Sequence, residues 1–168
     1  MAFAEHLSLQ YVQLIKKVNN CTNGEDRTFI LINNEDRIKA CKQKFKYNNE
    51  NIIGKKLIII DDTIVRGNVI KTIIDSLKKY GATEIHLRIP SPPIIDICQL
   101  GIAIQNKEEL IMNNRTINEV KNILKVDSLN YLSLKDLEMF PKYSYKQCFG
   151  GGIPKEIISV KEYNFCNN

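Results

Sequence analysis

The sequence predicts an α/β fold with a doubly wound, mainly parallel sheet, and three observations predict it. Leu57-Ile58-Ile59-Ile60 is a short β-branched apolar run, the pattern of a strand buried on both faces. Val69, Ile70, Ile73, Ile74 and Leu77 then repeat with helical period. Thr83 to Ile89 reads as a second strand. Residues 57–89 are therefore a strand–turn–helix–strand unit, which implies a right-handed parallel crossover.

The remaining elements follow in chain order. Phe3, Leu7, Tyr11, Leu14, Ile15 and Val18 recur at spacings of three and four, which predicts an amphipathic helix over 3–18. Asn19 to Asp26 is polar and carries Gly24, so it reads as a loop. Asn34 to Phe45 has the character of a basic helix, and Tyr47 to Gly54 reads as a turn-rich connection. Gly81 closes the helix that begins near Val69. Pro90, Pro92 and Pro93 end the second strand in a rigid loop. Lys107 to Asn113 suggests a short helix. Thr116 to Lys125 suggests a better one, with Ile117, Val120, Ile123 and Leu124 on one side. Ser128 to Leu132 is a third strand, and Ser133 to Phe140 a short helix opened by a Ser cap. After Pro141 the chain turns Gly-, Tyr- and Asn-rich, and disorder is expected at its last residues.

At 168 residues the chain fits one domain with a substantial core. No stretch approaches the roughly 20 apolar residues that span a bilayer. Met1 to Gln10 carries Glu5 and lacks a basic start followed by an apolar run, so no signal peptide is expected and a cytoplasmic location follows. The net charge is +5, but the basic residues are dispersed, with Arg27, Arg37, Arg66, Arg88 and Arg115 far apart. That reads as a solvated face, with neither a nucleic acid nor a membrane as partner. Cys21, Cys41, Cys98, Cys148 and Cys166 are odd in number and form no Cys-x-x-Cys pair. Reduced thiols are expected, without a disulfide framework or a zinc site. His6 and His86 have no sequence neighbour that suggests catalysis.

Asp61 and Asp62 end the first strand of the predicted unit, where ligands of open parallel sheets sit. Two acids can accept hydrogen bonds from vicinal sugar hydroxyls. The turn Thr63 to Gly67 can offer backbone N–H groups to a phosphate at a helix N-terminus. The plainer alternative is that the acids only terminate a strand and cap the next helix.

The string Asp61-Asp62-Thr63-Ile64-Val65-Arg66-Gly67 resembles the signature with which type I phosphoribosyltransferases bind 5-phosphoribosyl diphosphate (PRPP). Its Ile64-Val65-Arg66-Gly67 continuation resembles the amidophosphoribosyltransferases of purine synthesis. Arg27-Thr28-Phe29-Ile30 is similar to their mobile active-site loop. Ser91-Pro92-Pro93, Gly101-Ile102, Glu109-Leu110-Ile111, Asn114-Arg115-Thr116 and Asp127-Ser128-Leu129 follow in the family's order. The likeness implies a type I phosphoribosyltransferase fold, incomplete at its N-terminal side, over residues 1–157, with 158–168 as a tail.

The resemblance also implies roles. Asp61 and Asp62 would hold the ribose 2′- and 3′-hydroxyls, and Thr63, Ile64, Val65, Arg66 and Gly67 would wrap the 5′-phosphate. Arg27, with Lys16 or Lys17, would belong to the catalytic loop that closes over substrate. Mg²⁺ would arrive on the diphosphate of PRPP, and no resident metal ligand is expected. The implied reaction converts PRPP and ammonia to phosphoribosylamine and diphosphate. The alternative is an inactive module that binds PRPP or a purine nucleotide.

Departures from the family bear on that choice. The glutaminase domain and the first strand with its diphosphate loop have no counterpart before the match. A partner chain or a homo-oligomer completing the sheet is therefore expected. Asn68-Val69 replaces the usual two Thr, and Ala103 a usual Asp. Cys98 and Cys148 fall at two of the four positions that hold an iron–sulfur cluster in one branch, and Tyr145 stands at a third. No cluster is expected, and the two thiols are expected to be spatial neighbours.

Overall fold

Residues 2–17, 45–98, 104, 106–139 and 146–151 are described by the computed structural model. Their elements are α1 (Ala2–His6), β1 (Ile15–Lys17), β2 (Phe45–Tyr47), β3 (Lys56–Ile60), α2 (Asn68–Lys79), β4 (Glu84–Ile89), α3 (Ile117–Leu124) and β5 (Ser128–Tyr131). β1 and β2 form an antiparallel ribbon, and β3, β4 and β5 form a second sheet in that order. The chain divides into two compact units, Met1–Leu57 with Asn68–Ile85, and Ile58–Gly67 with His86–Asn168.

In the first unit the long N-terminal helix is overturned. α1 stops at His6, and Ser8 takes a left-handed conformation at φ 53°. Its N–H donates to the Glu5 carbonyl at 3.1 Å, and the Leu9 N–H donates to the Ala4 carbonyl at 2.8 Å. Those two bonds close the helix C-terminus in a Schellman arrangement. Ile15–Lys17 pairs instead with Phe45–Tyr47, Ile15 opposite Tyr47. A helix stripe holds in water only when packed, and Phe3, Leu7 and Tyr11 remain 40%, 48% and 58% exposed.

α2 follows its sequence pattern except at Val69, which was read into the stripe and lies 37% exposed at the first turn. Ile70, Thr72, Ile73, Ile74 and Leu77 are buried along one face. Gly81, at φ 88°, donates to the Lys78 carbonyl at 2.9 Å, and Ala82 donates to that of Leu77 at 3.0 Å. The predicted glycine stop is thus a second Schellman closure. Gly54 N–H donates to the Gly81 carbonyl at 2.8 Å, tying the turn after Ile52 to the helix exit.

β3 corrects the expectation of a strand buried on both faces. Leu57 is buried, but Ile58 and Ile60 are 41% and 50% exposed. β3 stands at the edge of the described sheet, and a uniform Ile run cannot announce which face will be covered.

In the second unit β4 and β5 are parallel, with His86 opposite Ser128 and Ile89 opposite Tyr131. His86 Nδ1 lies 2.9 Å from Ser128 Oγ, which also accepts from Arg88 at 2.9 Å. α3 opens with a complete capping box. Thr116 Oγ1 accepts from the Glu119 N–H at 3.2 Å, and Glu119 Oε2 accepts from the Thr116 N–H at 2.7 Å. Val120 and Leu124 are buried, whereas Ile117 and Ile123 lie 40% and 39% exposed, which corrects the wider stripe read from spacing.

Two predicted short helices are single 3₁₀ turns, Lys107–Glu109 and Asp136–Met139. The latter is opened by Ser133 as expected, whose Oγ accepts from the Asp136 N–H at 3.1 Å. Ile94, Ile104, Leu110 and Cys148 form a buried cluster, against which Val65, Cys98 and Phe149 pack. The expectations for 19–26, 34–44 and the tail lie outside the described residues. Among the described residues no helix is long and apolar enough to cross a membrane.

Candidate functional site

β3 ends at Ile60, and the next seven residues, Asp61 to Gly67, form one continuous loop inside the second unit. The two carboxylates fold back on their own chain. Asp61 Oδ1 accepts from the Asp62 N–H at 3.2 Å, and Asp62 Oδ1 accepts from the Thr63 N–H at 2.7 Å. Burial, and after it the neighbouring Asp62 carboxylate, hold the Asp61 carboxyl above its ordinary range. Adjacent acids with one partly desolvated are costly for the free protein and suit a ligand that donates hydroxyl protons.

A second segment clamps the loop. The Ile111 N–H donates to the Val65 carbonyl at 2.9 Å. Arg66 Nε pairs with Glu109 Oε2, the two side chains only 14% and 28% exposed. Gly67 sits at φ 80°, and a Cβ there would lie 2.4 Å from Ile111 Cδ1. Glycine is therefore favoured by its conformation, and any larger residue would also have to displace the end of the Ile111 side chain. Ile64 anchors the middle of the loop at 2% exposure.

Three hydroxyls near the carboxyl ends of the strands are left over. Thr63 Oγ1, Ser91 Oγ and Tyr131 Oη are buried and have no hydrogen-bond partner among the described residues. Each such orphan costs about 1–3 kcal/mol. Burial also pushes the Tyr131 phenol up to about 12. Sequence reasoning placed neither Ser91 nor Tyr131 at the site, although Ser91 stood in a matching segment. Glu109 and Ile111 were recognised in a matching segment but not as the clamp on the loop.

Lys16 and Lys17 lie on β1 in the first unit, Lys16 with an exposed side chain. Arg27 lies outside the described residues. Cys98 and Cys148 are neighbours, Cys98 packing against the cluster that holds Cys148. Among the described residues no group of three or more His, Cys, Asp or Glu side chains is assembled for a metal.

Comparison with known proteins decides the family. The chain is 40% identical over 138 residues to the human amidophosphoribosyltransferase, a match that covers 82% of this chain and 26% of that protein. It is 45% identical over 111 residues to the amidophosphoribosyltransferase of Methanothermobacter thermautotrophicus, covering 66% and 23%. The chain belongs, as a segment, to the amidophosphoribosyltransferase family. It spans about a quarter of the length of the curated relatives it matches. A solved structure of the Bacillus subtilis glutamine PRPP amidotransferase, complexed with ADP and GMP, superposes with a TM-score of 0.71 at 31% identity, covering 90% of this chain and 34% of that one. The amidophosphoribosyltransferase segment thus has the type I phosphoribosyltransferase fold expected from its motif. No protein-family model matches the chain.

Proposed function

We propose that the loop Asp61 to Gly67 binds the ribose 5-phosphate end of PRPP, and that the chain serves the transfer of a phosphoribosyl group to ammonia. One observation carries this reading: a loop after a parallel strand that opens with two carboxylates and closes on a left-handed glycine, with a buried Thr63 hydroxyl between them that has no partner among the described residues. The carboxylates accept hydrogen bonds from the two ribose hydroxyls. The N–H groups of the loop and the Thr63 hydroxyl turn to the 5′-phosphate, in the manner of an anion-binding concavity.

Mg²⁺ enters as part of the substrate, on the diphosphate. As diphosphate leaves, positive charge develops on the ribose ring, and the nearby carboxylates stabilise it. Arg27, Lys16 and Lys17 belong to the closing loop in this reading, which rests on the motif likeness alone.

A second reading, nucleotide binding without turnover, is favoured by Asn68-Val69, which removes the two hydroxyls the family usually offers after the glycine. Titration calorimetry with Mg-PRPP, ribose 5-phosphate, AMP and GMP separates the two when paired with an assay for diphosphate release. The enzyme reading expects PRPP binding and ammonia-dependent release, both lost in Asp61→Asn with Asp62→Asn. Hydrogen bonds to charged groups are worth about 1.5–3 kcal/mol each, so the double variant should bind at least tenfold more weakly. Saturable binding without release selects the second reading. A folded chain that binds none of the four ligands overturns both.

A further inference from the structure

Cys98 and Cys148 are fifty residues apart in sequence, yet Cys98 packs against the buried cluster that holds Cys148. The backbone holds them there. The Cys148 carbonyl accepts from the Ile95 N–H at 2.8 Å and from the Asp96 N–H at 3.1 Å, so the segment that carries Cys98 is pinned to the turn that carries Cys148. Both are free thiols, Cys98 half-buried and Cys148 buried. Two thiols are half of what a four-thiolate cluster takes, and the described residues add no third ligand beside them. Two adjacent thiols can close to a disulfide.

We propose that Cys98 and Cys148 are an oxidisable pair that closes to an intramolecular disulfide in response to a hydroperoxide. Cys98, the more exposed sulfur, is the one the oxidant reaches. Its thiolate attacks one peroxide oxygen, the O–O bond breaks, and Cys98 becomes a sulfenic acid while the other oxygen leaves as water or an alcohol. Cys148 then gives up its proton and attacks the Cys98 sulfur. The S–O bond breaks, and its oxygen leaves as water. Two thiols have lost two electrons and two protons, and one hydroperoxide has been reduced. Cys148, buried in the cluster, is shielded from the oxidant and takes the part of the resolving partner rather than of the first nucleophile.

The pair is joined to the candidate site by packing. Cys148 lies in the cluster of Ile94, Ile104 and Leu110, and Val65 of the Asp61–Gly67 loop packs on that cluster. Closing the disulfide draws the two sulfurs from contact to about 2 Å, and the loop shares the packing that adjusts.

The test is peptide mapping of the full native chain after hydrogen peroxide, with free thiols then alkylated. The expected product is a tryptic pair joining residues 89–107 to 147–155, two hydrogens lighter than the separate peptides. It should revert with dithiothreitol and be absent from Cys98→Ser. The oxidised chain should melt several degrees above the reduced one, because a long loop is closed in the unfolded state. Full alkylation of both cysteines after peroxide overturns the proposal. So does accumulation of sulfinic acid on Cys98, or linkage of Cys98 to Cys21, Cys41 or Cys166 in place of Cys148. None of these readouts needs the phosphoribosyl site to be occupied.

Discussion

Helix α3 and the loop Asp61 to Gly67 belong to the same unit and treat their polar groups in opposite ways. At α3 both ends are closed. Thr116 and Glu119 exchange hydrogen bonds at the N-terminus, and Lys125, left-handed at φ 56°, closes the C-terminus with Val126 donating to the Lys121 carbonyl at 3.2 Å. In the loop a carboxyl is held above its ordinary range, a threonine hydroxyl is buried without a partner among the described residues, and a glycine occupies a conformation disfavoured for other residues. The helix is finished by its own sequence. The loop leaves a carboxyl and a hydroxyl that its own described residues do not settle. Local disagreement of this kind is where function is expected, because stability alone would have removed it.

Four single variants and one double variant break or sharpen the contrast, the singles in descending order of effect. Leu124→Ala removes a side chain 1% exposed beneath α3 and should cost about 2–5 kcal/mol in denaturant unfolding. Gly67→Ala forces a left-handed alanine, at about 1–2 kcal/mol, and adds the clash with Ile111. Adding Ile111→Val, which removes the clashing Cδ1, should make the double variant more stable than the sum of the singles predicts. Additivity would mean that the clamp does not press on the loop.

Thr116→Ala deletes the cap of α3 and should cost about 1 kcal/mol, with ligand binding unchanged. Asp61→Asn has the smallest effect on stability and the opposite sign. Because the folded carboxyl is raised above its unfolded value of 3.8, the native state holds that proton more tightly. The favourable contribution of Asp61 is present below the unfolded value and is lost as pH rises through the folded one. The variant should therefore melt above the wild type near neutral pH, with the gap closing in acid. A variant that melts lower at pH 7 would show that the ionised carboxylate stabilises the free loop.

Much of this was legible in the residues. The α2 stripe with its Gly81 stop, the two strands either side of it, the Ser133 cap and the Asp61–Gly67 string all depend on local chemistry, and each stands in the structure where the spacing placed it. The N-terminal helix was misread because its stripe has spacing but no described core beneath it. The face of β3 was misread because four consecutive apolar residues carry no alternation.

By itself, the sequence determined the family, the parallel strand–helix–strand unit and the order of carboxylates, hydroxyl and glycine in the candidate site, since each is a property of contiguous residues. Tertiary structure alone decided that Glu109 and Ile111 clamp that loop and that Ser91 and Tyr131 bring buried hydroxyls near the carboxyl ends of their strands. The physical reason is distance along the chain. Contacts across tens of residues are chosen by packing and by the pairing of backbone groups, and neither leaves a period or a motif in the residues that make them.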